Sequence, residues 1–369
     1  MAFDNDQLAL EVLKNNIDSE IACADLSTFD QSIVDRIAEA NVLVAGPPCQ
    51  GFSTAGKNNP DDLRNNHLLK VTELAALAKP EVVVIENVKG LLNQNNKALF
   101  GQAKENLERS GYNVTWDLHC AADYKIAQNR HRVIIVATLT DTPFELKLKC
   151  EERISLSDAL SNIETDQVER GIELKKSSSE YKIANRIKPG QKLSNVRRGL
   201  KSVHTWEIPE VFGAVTTQET SLLETIVKLR RQNRKRENGD ADPVDLFTLQ
   251  QFFGSDTLPV LKALQKKGYV RTVGDAFDIK NTFNGKYRRL DWQELSPTVD
   301  TRFGQPRYFL HPDSNRGFST REAARIQSFP DEFEFHGSQS RIYRMIGNAV
   351  PPRMAQLIAE DLKNVWSSA

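Results

Sequence analysis

Cysteine is scarce in this chain, and its spacing carries little. Cys23, Cys49, Cys120 and Cys150 are scattered through 369 residues with no CxxC pair, so neither a zinc site nor a disulfide framework is suggested. Long apolar runs are also missing. No stretch approaches the roughly 20 apolar residues that span a bilayer, and no basic-then-apolar signal pattern follows Met1. No membrane partner is expected, and the cytoplasm is the expected location. Net charge is absent too: 49 Lys and Arg stand against 49 Asp and Glu. The whole chain therefore offers no global field to draw it to nucleic acid. An internal repeat is likewise lacking. What remains is the composition of an ordinary folded protein, long enough for two domains and a well-buried core.

The distribution of charge says more than its sum. Lys182 to Lys201 contains seven basic residues and no acidic one, and six of the nine positions from Lys228 to Arg236 are Lys or Arg. Such runs serve either as solvated faces or as local phosphate-binding patches.

Up to about residue 140, short apolar runs alternate with helical patterns. Ile21–Ala24, Val42–Ala45, Val82–Ile85 and Val133–Thr138 read as buried strands, rich in Val and Ile. Asn65–Ala78 and Lys97–Ser110 have helical spacing, the latter stopping at Gly111. The alternation predicts an α/β fold with a doubly wound, mostly parallel sheet, whose sites collect at the carboxyl ends of the strands. Three sections follow: 1–150; a more polar and basic 151–285, broken at Lys188-Pro189-Gly190; and a motif-dense 286–369. The middle section shows a basic helix over Ser221–Arg236 and two short helices over Asp245–Gly254 and Thr257–Lys267. A terminal amphipathic helix runs to about Trp366.

Two chemical groups sit just past predicted strand ends. Val42–Ala45 leads into Gly46-Pro47-Pro48-Cys49, where prolines stiffen the loop that presents the thiol. Val82–Ile85 leads into Glu86-Asn87-Val88. A carboxylate there serves either as a helix cap or, beside a cysteine from the neighbouring strand, as the proton donor that accompanies a nucleophile. Gln128-Asn129-Arg130-His131-Arg132 adds two guanidinium groups on one face of a strand start, of which one is open to a structural salt bridge.

These elements resemble the DNA cytosine-C5 methyltransferase family. Six blocks match in order: Pro47–Ser53, Glu86–Val88, Gln128–Arg132, Arg289–Thr298 with Ser296-Pro297-Thr298, Ser319–Pro330 and Gly347–Pro352. One mild departure is Lys125-Ile126-Ala127, where the family usually has Gly-Val-Pro. The resemblance implies a sheet of the S-adenosylmethionine-dependent methyltransferase type and a smaller mixed target-recognition domain in 151–285. It implies Cys49 as the nucleophile toward cytosine C6, on a loop shaped by Pro48. Glu86 would protonate N3, and Arg132, helped by Arg130, would hold O2. The methyl donor would be S-adenosylmethionine, the partner double-stranded DNA with the target base flipped from its stack. Cofactor contacts would come from Asp4, Asn5, Asp25, Leu26, Gly46, Asn348 and Val350. The basic runs then acquire a purpose, phosphate contacts together with a few base-reading side chains in 186–236. No metal is implied.

The family opens on a strand and a Gly-rich turn that build the floor of the cofactor pocket, and neither is found here. Met1–Asp6 instead resembles the family's second block. The missing strand would be central to the sheet, so its loss leaves two inner edges without partners. Three accounts stay open, in this order: a truncated gene product, a split enzyme whose second polypeptide carries the Gly-rich turn, and a degenerate copy. The competing functions are a methyltransferase inactive alone, a non-catalytic DNA-binding module, and a tRNA cytosine methyltransferase on the same scaffold.

Overall fold

A computed structural model describes residues 1–48, 66–141, 143–163, 171–232, 234 and 242–367 of the chain. In order the elements are β1 (Ala2–Asp4), α1 (Gln7–Asn16), β2 (Ile21–Cys23), α2 (Gln31–Ala38), β3 (Val42–Ala45), α3 (Asn66–Ala78), β4 (Val82–Val88), α4 (Lys97–Arg109) and β5 (Asn113–Cys120). Then come β6 (Gln128–Asn129), β7 (His131–Thr138), α5 (Leu156–Ala159), α6 (Ser179–Arg186), β8 (Lys192–Ser194), β9 (Ser202–Val203), α7 (Pro209–Phe212) and α8 (Thr217–Gln232). These lead to β10 (Val244–Asp245), α9 (Leu246–Phe253), α10 (Thr257–Lys266), β11 (Val270–Val273), β12 (Ala276–Ile279), β13 (Asn284–Lys286) and β14 (Arg288–Arg289). The last are β15 (Ser296–Pro297), β16 (Phe309–Leu310), α11 (Thr320–Ile326), α12 (Gln339–Asn348), α13 (Pro352–Leu362) and α14 (Asn364–Ser367).

Contacts divide the chain into two units. The first holds Met1–Asn162, Leu295–Thr301 and Ala324–Ala369; the second holds Ile163–Glu294 and Arg302–Ala323. The C-terminal section is thus shared. Residues 302–323 pack with the middle of the chain because β16 pairs with β14 and Arg289 donates to the His311 and Ser314 carbonyls.

The first unit is built on the sheet β3-β4-β7-β5. Its strands alternate in the way a doubly covered sheet requires. Val83, Ile85, Val133, Ile135 and Ala137 pack on Leu68 and Ala75 of α3 and on Ala103 and Leu107 of α4. Val82, Val84, Ile134 and Val136 pack on Met354, Ile358 and Leu362 of α13. The sheet is more mixed than the sequence predicts. β3 and β4 are parallel, but β7 runs antiparallel to both β4 and β5. The cause is chain length: only residues 121–130 join β5 to β7, too few for the crossover that parallel neighbours need.

β1 and β2 form a separate parallel pair. Phe3 of β1 and Leu43 of β3 nevertheless pack against one cluster, Val34, Ile37, Leu74 and Ala78, contributed by α2 and α3. Among the described residues β1 pairs only with β2, and β3 only with β4. Val44, in the middle of β3, is 70% exposed. That leaves the arrangement expected of a sheet without one inner strand.

The second unit has its own cores. Arg289 is buried among backbone acceptors: it donates to the carbonyls of Ala184, Ile187, His311 and Ser314 and to Asn315 Oδ1. Five donors in a fixed fork suit such a post. Nearby, burial together with the Arg316 guanidinium pushes the His311 imidazole down to about 4 from 6.5. Glu322, 3.6 Å away, opposes this and is outweighed, being itself clamped by Arg316. An unfolded chain therefore takes up a proton near pH 6.5 that the fold refuses until about pH 4. His311 thus costs the fold nothing above pH 6.5, and stability is lost progressively as pH falls toward 4, by on the order of 3 kcal/mol in total. The urea midpoint should fall across this window, and His311→Gln should flatten the decline. An equally steep decline in the variant would remove His311 as its cause.

Candidate active site

The carboxyl ends of β3 and β4 bring Gly46 and Glu86 together. β3 ends at Ala45 and hands the chain to Gly46, Pro47 and Pro48; Cys49 lies outside the described residues. β4 continues through the Glu-Asn-Val triplet, so Glu86 and Val88 share a face with Ile134 and Arg132, their partners on β7. On that face Arg132 Nε forms an ion pair with Glu86 Oε1, the two side chains 11% and 14% exposed. A guanidinium and a carboxylate this enclosed are held by each other, and a small planar ligand could engage both. Arg132 also donates to the His131 carbonyl at 2.8 Å. Gly46 faces the pair: a Cβ there would lie 3.7 Å from Glu86 Oε2. Asn87, pointing to the other face, is buried, with its Nδ2 3.5 Å from the Pro47 carbonyl. The strand end and the cysteine loop are thereby tied.

Arg130 has a different place from the one expected. It precedes β7 rather than sharing its face with Arg132, and it is fully buried. Its guanidinium donates to the carbonyls of Val299 at 3.2 Å, Gly347 at 3.1 Å and Ala349 at 2.9 Å. A group so committed braces the backbone and does not reach for a substrate oxygen. Gln128 extends the brace, donating to Gln327 Oε1 at 2.6 Å and accepting from Val299 N at 2.9 Å. Gln327 in turn donates to the Ala349 carbonyl at 2.7 Å. Gly347 fits against Asp300 and Thr301 so closely that a Cβ would lie 2.8 Å from the Asp300 carbonyl carbon. Sequence reasoning missed the roles of Gln128 and Gln327, whose only signal was placement inside matching blocks. Lys125, standing where the family usually has glycine, adopts φ +58°, the left-handed region that glycine enters without strain.

The candidate cofactor residues lie at strand ends as well. Asp4 closes β1 and accepts from Asp6 N at 2.8 Å. Asp25, just past β2, accepts from Ser27 N at 2.9 Å. Hydrogen bonds from Ser27 hold its carboxyl below the ordinary aspartate value. Because β1 and β2 are parallel, both carboxylates stand at one edge. Asp4, Asn5 and Asp25 are exposed and Leu26 is half-buried. Asn348 ends α12, exposed, and Val350 is half-buried beside it. Exposed carboxylates with free lone pairs suit ribose hydroxyls, so the side chains present fit a nucleoside-bearing methyl donor. Among the described residues no cluster of His, Cys, Asp and Glu suits a metal ion.

The basic runs are partly neutralised at home. Arg186 pairs with Glu210, Arg198 with Glu224 and Lys201 with Glu294. Arg230 is buried against Asp278.

Comparison with known proteins agrees with this geometry. The family model described as C-5 cytosine-specific DNA methylase matches residues 1–364. The Type II methyltransferase M.HgiCII of Herpetosiphon aurantiacus is 28% identical, the match covering 97% of this chain and 90% of the relative. M.DdeI of Desulfomicrobium norvegicum is 26% identical over 94% of this chain and 79% of its own length. Among solved structures, a prophage-encoded chain of E. coli superposes with a TM-score of 0.58 at 22% identity, covering 99% of this chain and 92% of that one. The Entamoeba histolytica methyltransferase EhMeth gives 0.52 at 16%, covering 98% and 90%. These likenesses show the fold. With a match along nearly its whole length, the chain belongs to the C-5 cytosine-specific DNA methylase family: it is a DNA cytosine-5 methyltransferase whose methyl donor is S-adenosylmethionine.

Proposed function

We propose that this chain methylates C5 of a flipped-out cytosine in duplex DNA through a covalent bond from Cys49 to C6, and that it needs one further strand to do so. The observation that carries the chemistry is the enclosed Glu86–Arg132 pair facing Gly46. Asn87 takes the Pro47 carbonyl, two positions before Cys49, and Pro48 stiffens the backbone between them. Glu86 donates a proton to N3, which makes C6 electrophilic toward the Cys49 thiolate, and Arg132 transfers its hydrogen bonds to O2. The bound donor supplies the methyl group that C5 attacks. Loss of the C5 proton then restores the C5–C6 double bond and expels Cys49. Asp4, Asn5, Asp25 and Leu26 line the nucleoside end of the pocket, with Gly46, Asn348 and Val350 near the transferred group. Double-stranded DNA is the substrate, flipped because a stacked base cannot meet groups this enclosed.

The need for a further strand rests on the edges of β1 and β3, unpaired among the described residues, and on exposed Val44. A segment that lays an apolar strand between them and ends in a Gly-rich turn, from a longer gene product or a second polypeptide, completes the pocket floor. The chain alone should then bind S-adenosylmethionine weakly and methylate duplex DNA negligibly. Co-expression with such a segment should restore transfer of labelled methyl groups. Full activity of the chain alone would sink the strand requirement, while absence of methylation under every complementation would favour a non-catalytic DNA-binding role. Duplex DNA and tRNA offered side by side separate the remaining alternative.

A further inference from the structure

In residues Thr217–Ile279 of the second unit, the three helices read from the sequence are joined by strands that it did not announce. A helix, α8, is followed by a short strand, β10, then two helices, α9 and α10, then a hairpin, β11 and β12. The three strands make one antiparallel sheet in the order β10-β12-β11, so the first strand pairs with the last. Only Gly254, Ser255 and Asp256 separate α9 from α10, and Gly254 has φ +88°. A turn of this length with a left-handed glycine is that of a helix-turn-helix. Leu222, Leu223, Ile226 and Val227 of α8, Leu249 of α9, and Val260, Leu261 and Leu264 of α10 close a core with Val270 and Ile279 of the hairpin. Buried Asp278 on β12 takes Arg230 of α8, which fixes the hairpin to the first helix, and pairs within the hairpin with Arg271 of β11, whose side chain stays 53% exposed.

We propose that this module is a winged helix-turn-helix, with α10 lying in the DNA major groove as the base-reading helix and the β11–β12 hairpin as its wing. The side chains are sorted as that role demands. Thr257, Val260, Leu261 and Leu264 face the core; Leu258, Pro259, Lys262 and Lys266 face out. No acidic residue lies on α10, and Lys262 and Lys266 have no acidic partner among the described residues. Leu258, at the start of the helix, is exposed with no role in the core. An apolar side chain there meets a thymine methyl, and a lysine one turn on meets the O6 and N7 acceptors of guanine. Gln265 Nε2 donates to Thr272 Oγ1 at 2.7 Å, joining the helix to the wing. The exposed wing residues Arg271 and Thr272 are then placed for phosphate. This assigns base reading to Leu258 and Lys262, outside the 186–236 interval to which the sequence pointed.

The proposal rests on DNA being the substrate and on nothing in the transfer chemistry. It is tested on the full chain by selection from a randomised duplex library, sequencing what is retained. Wild type should enrich a short motif. Lys262→Gln should change the preferred base at one position or lose about tenfold discrimination there, with an unchanged circular dichroism spectrum. Leu258→Ser should relax an adjacent position. Arg271→Ala should keep the motif, weaken binding to all sequences alike, and reduce the slope of log affinity against log salt by about 1. Wild type enriching no motif, or both α10 variants returning the wild-type motif with unchanged base frequencies, would overturn the assignment. Because selection reads binding alone, failed methylation leaves it standing. A retained motif in the α10 variants leaves the methyltransferase reading untouched.

Discussion

Cys49→Ser in the complemented enzyme is expected to abolish methylation, and Glu86→Gln to slow it by about 10²–10⁴-fold, the usual contribution of a positioned general acid. The first expectation follows from the nucleophile's role, the second from one face of the sheet. Glu86 on β4 and Arg132 on β7 meet across paired strands and are nearly excluded from water, where charge-assisted hydrogen bonds are strongest. Glutamine keeps the shape of Glu86 and its contact with Arg132 but has no proton of suitable acidity for N3. The loss should therefore fall on kcat, with KM for DNA little changed. A Glu86→Gln enzyme retaining more than about a tenth of wild-type kcat would remove Glu86 from the acid role. Transfer of labelled methyl groups to duplex DNA measures both variants.

The second large effect concerns Arg130. The family resemblance made it a helper of Arg132, whereas the fold uses it to tie Val299, Gly347 and Ala349 together. Arg130→Met would keep much of the volume and leave the Val299 and Gly347 carbonyls short of a donor, Ala349 keeping Gln327. Each unsatisfied buried acceptor costs about 1–3 kcal/mol, so a loss of about 3 kcal/mol or more is expected, read as a lower urea midpoint. Arg130→Lys should rescue little, since an ammonium on a flexible stem does not reproduce a planar fork. A stable Arg130→Met protein with kcat alone reduced would return Arg130 to the catalytic group.

The strands with dense Val and Ile were legible in the sequence because their runs have no polar interruption: the start of β4, buried on both faces, and β3, partly exposed, stand where the runs put them. β5 was not. Its residues, Asn-Val-Thr-Trp-Asp-Leu-His-Cys, lie at a sheet edge with partial exposure, and their polar members blur the pattern. The direction of β7 was hidden for another reason, since strand polarity depends on connection length and not on the strand's own residues. Short α1 and α2 were overlooked although Asp6 and Asp30 cap them. At the site, residue type gave Glu86 and Arg132 through their blocks. It could not separate Arg132 from Arg130, because the acceptors that claim Arg130 lie some 170 to 220 positions away.

The covering of one sheet face by α13 bears on how the protein comes off the ribosome. Val82, Val84, Ile134 and Val136 wait for Met354, Ile358 and Leu362 of α13, which are translated long after β7. At the roughly 5–20 residues per second of synthesis, that apolar face stays bare for many seconds after β7 has emerged. The module of α8 to β12 has all its core residues between Trp206 and Ile279 and can close in the meantime. Order of birth is therefore not order of completion: a middle segment can mature while the flanking unit still waits for α13.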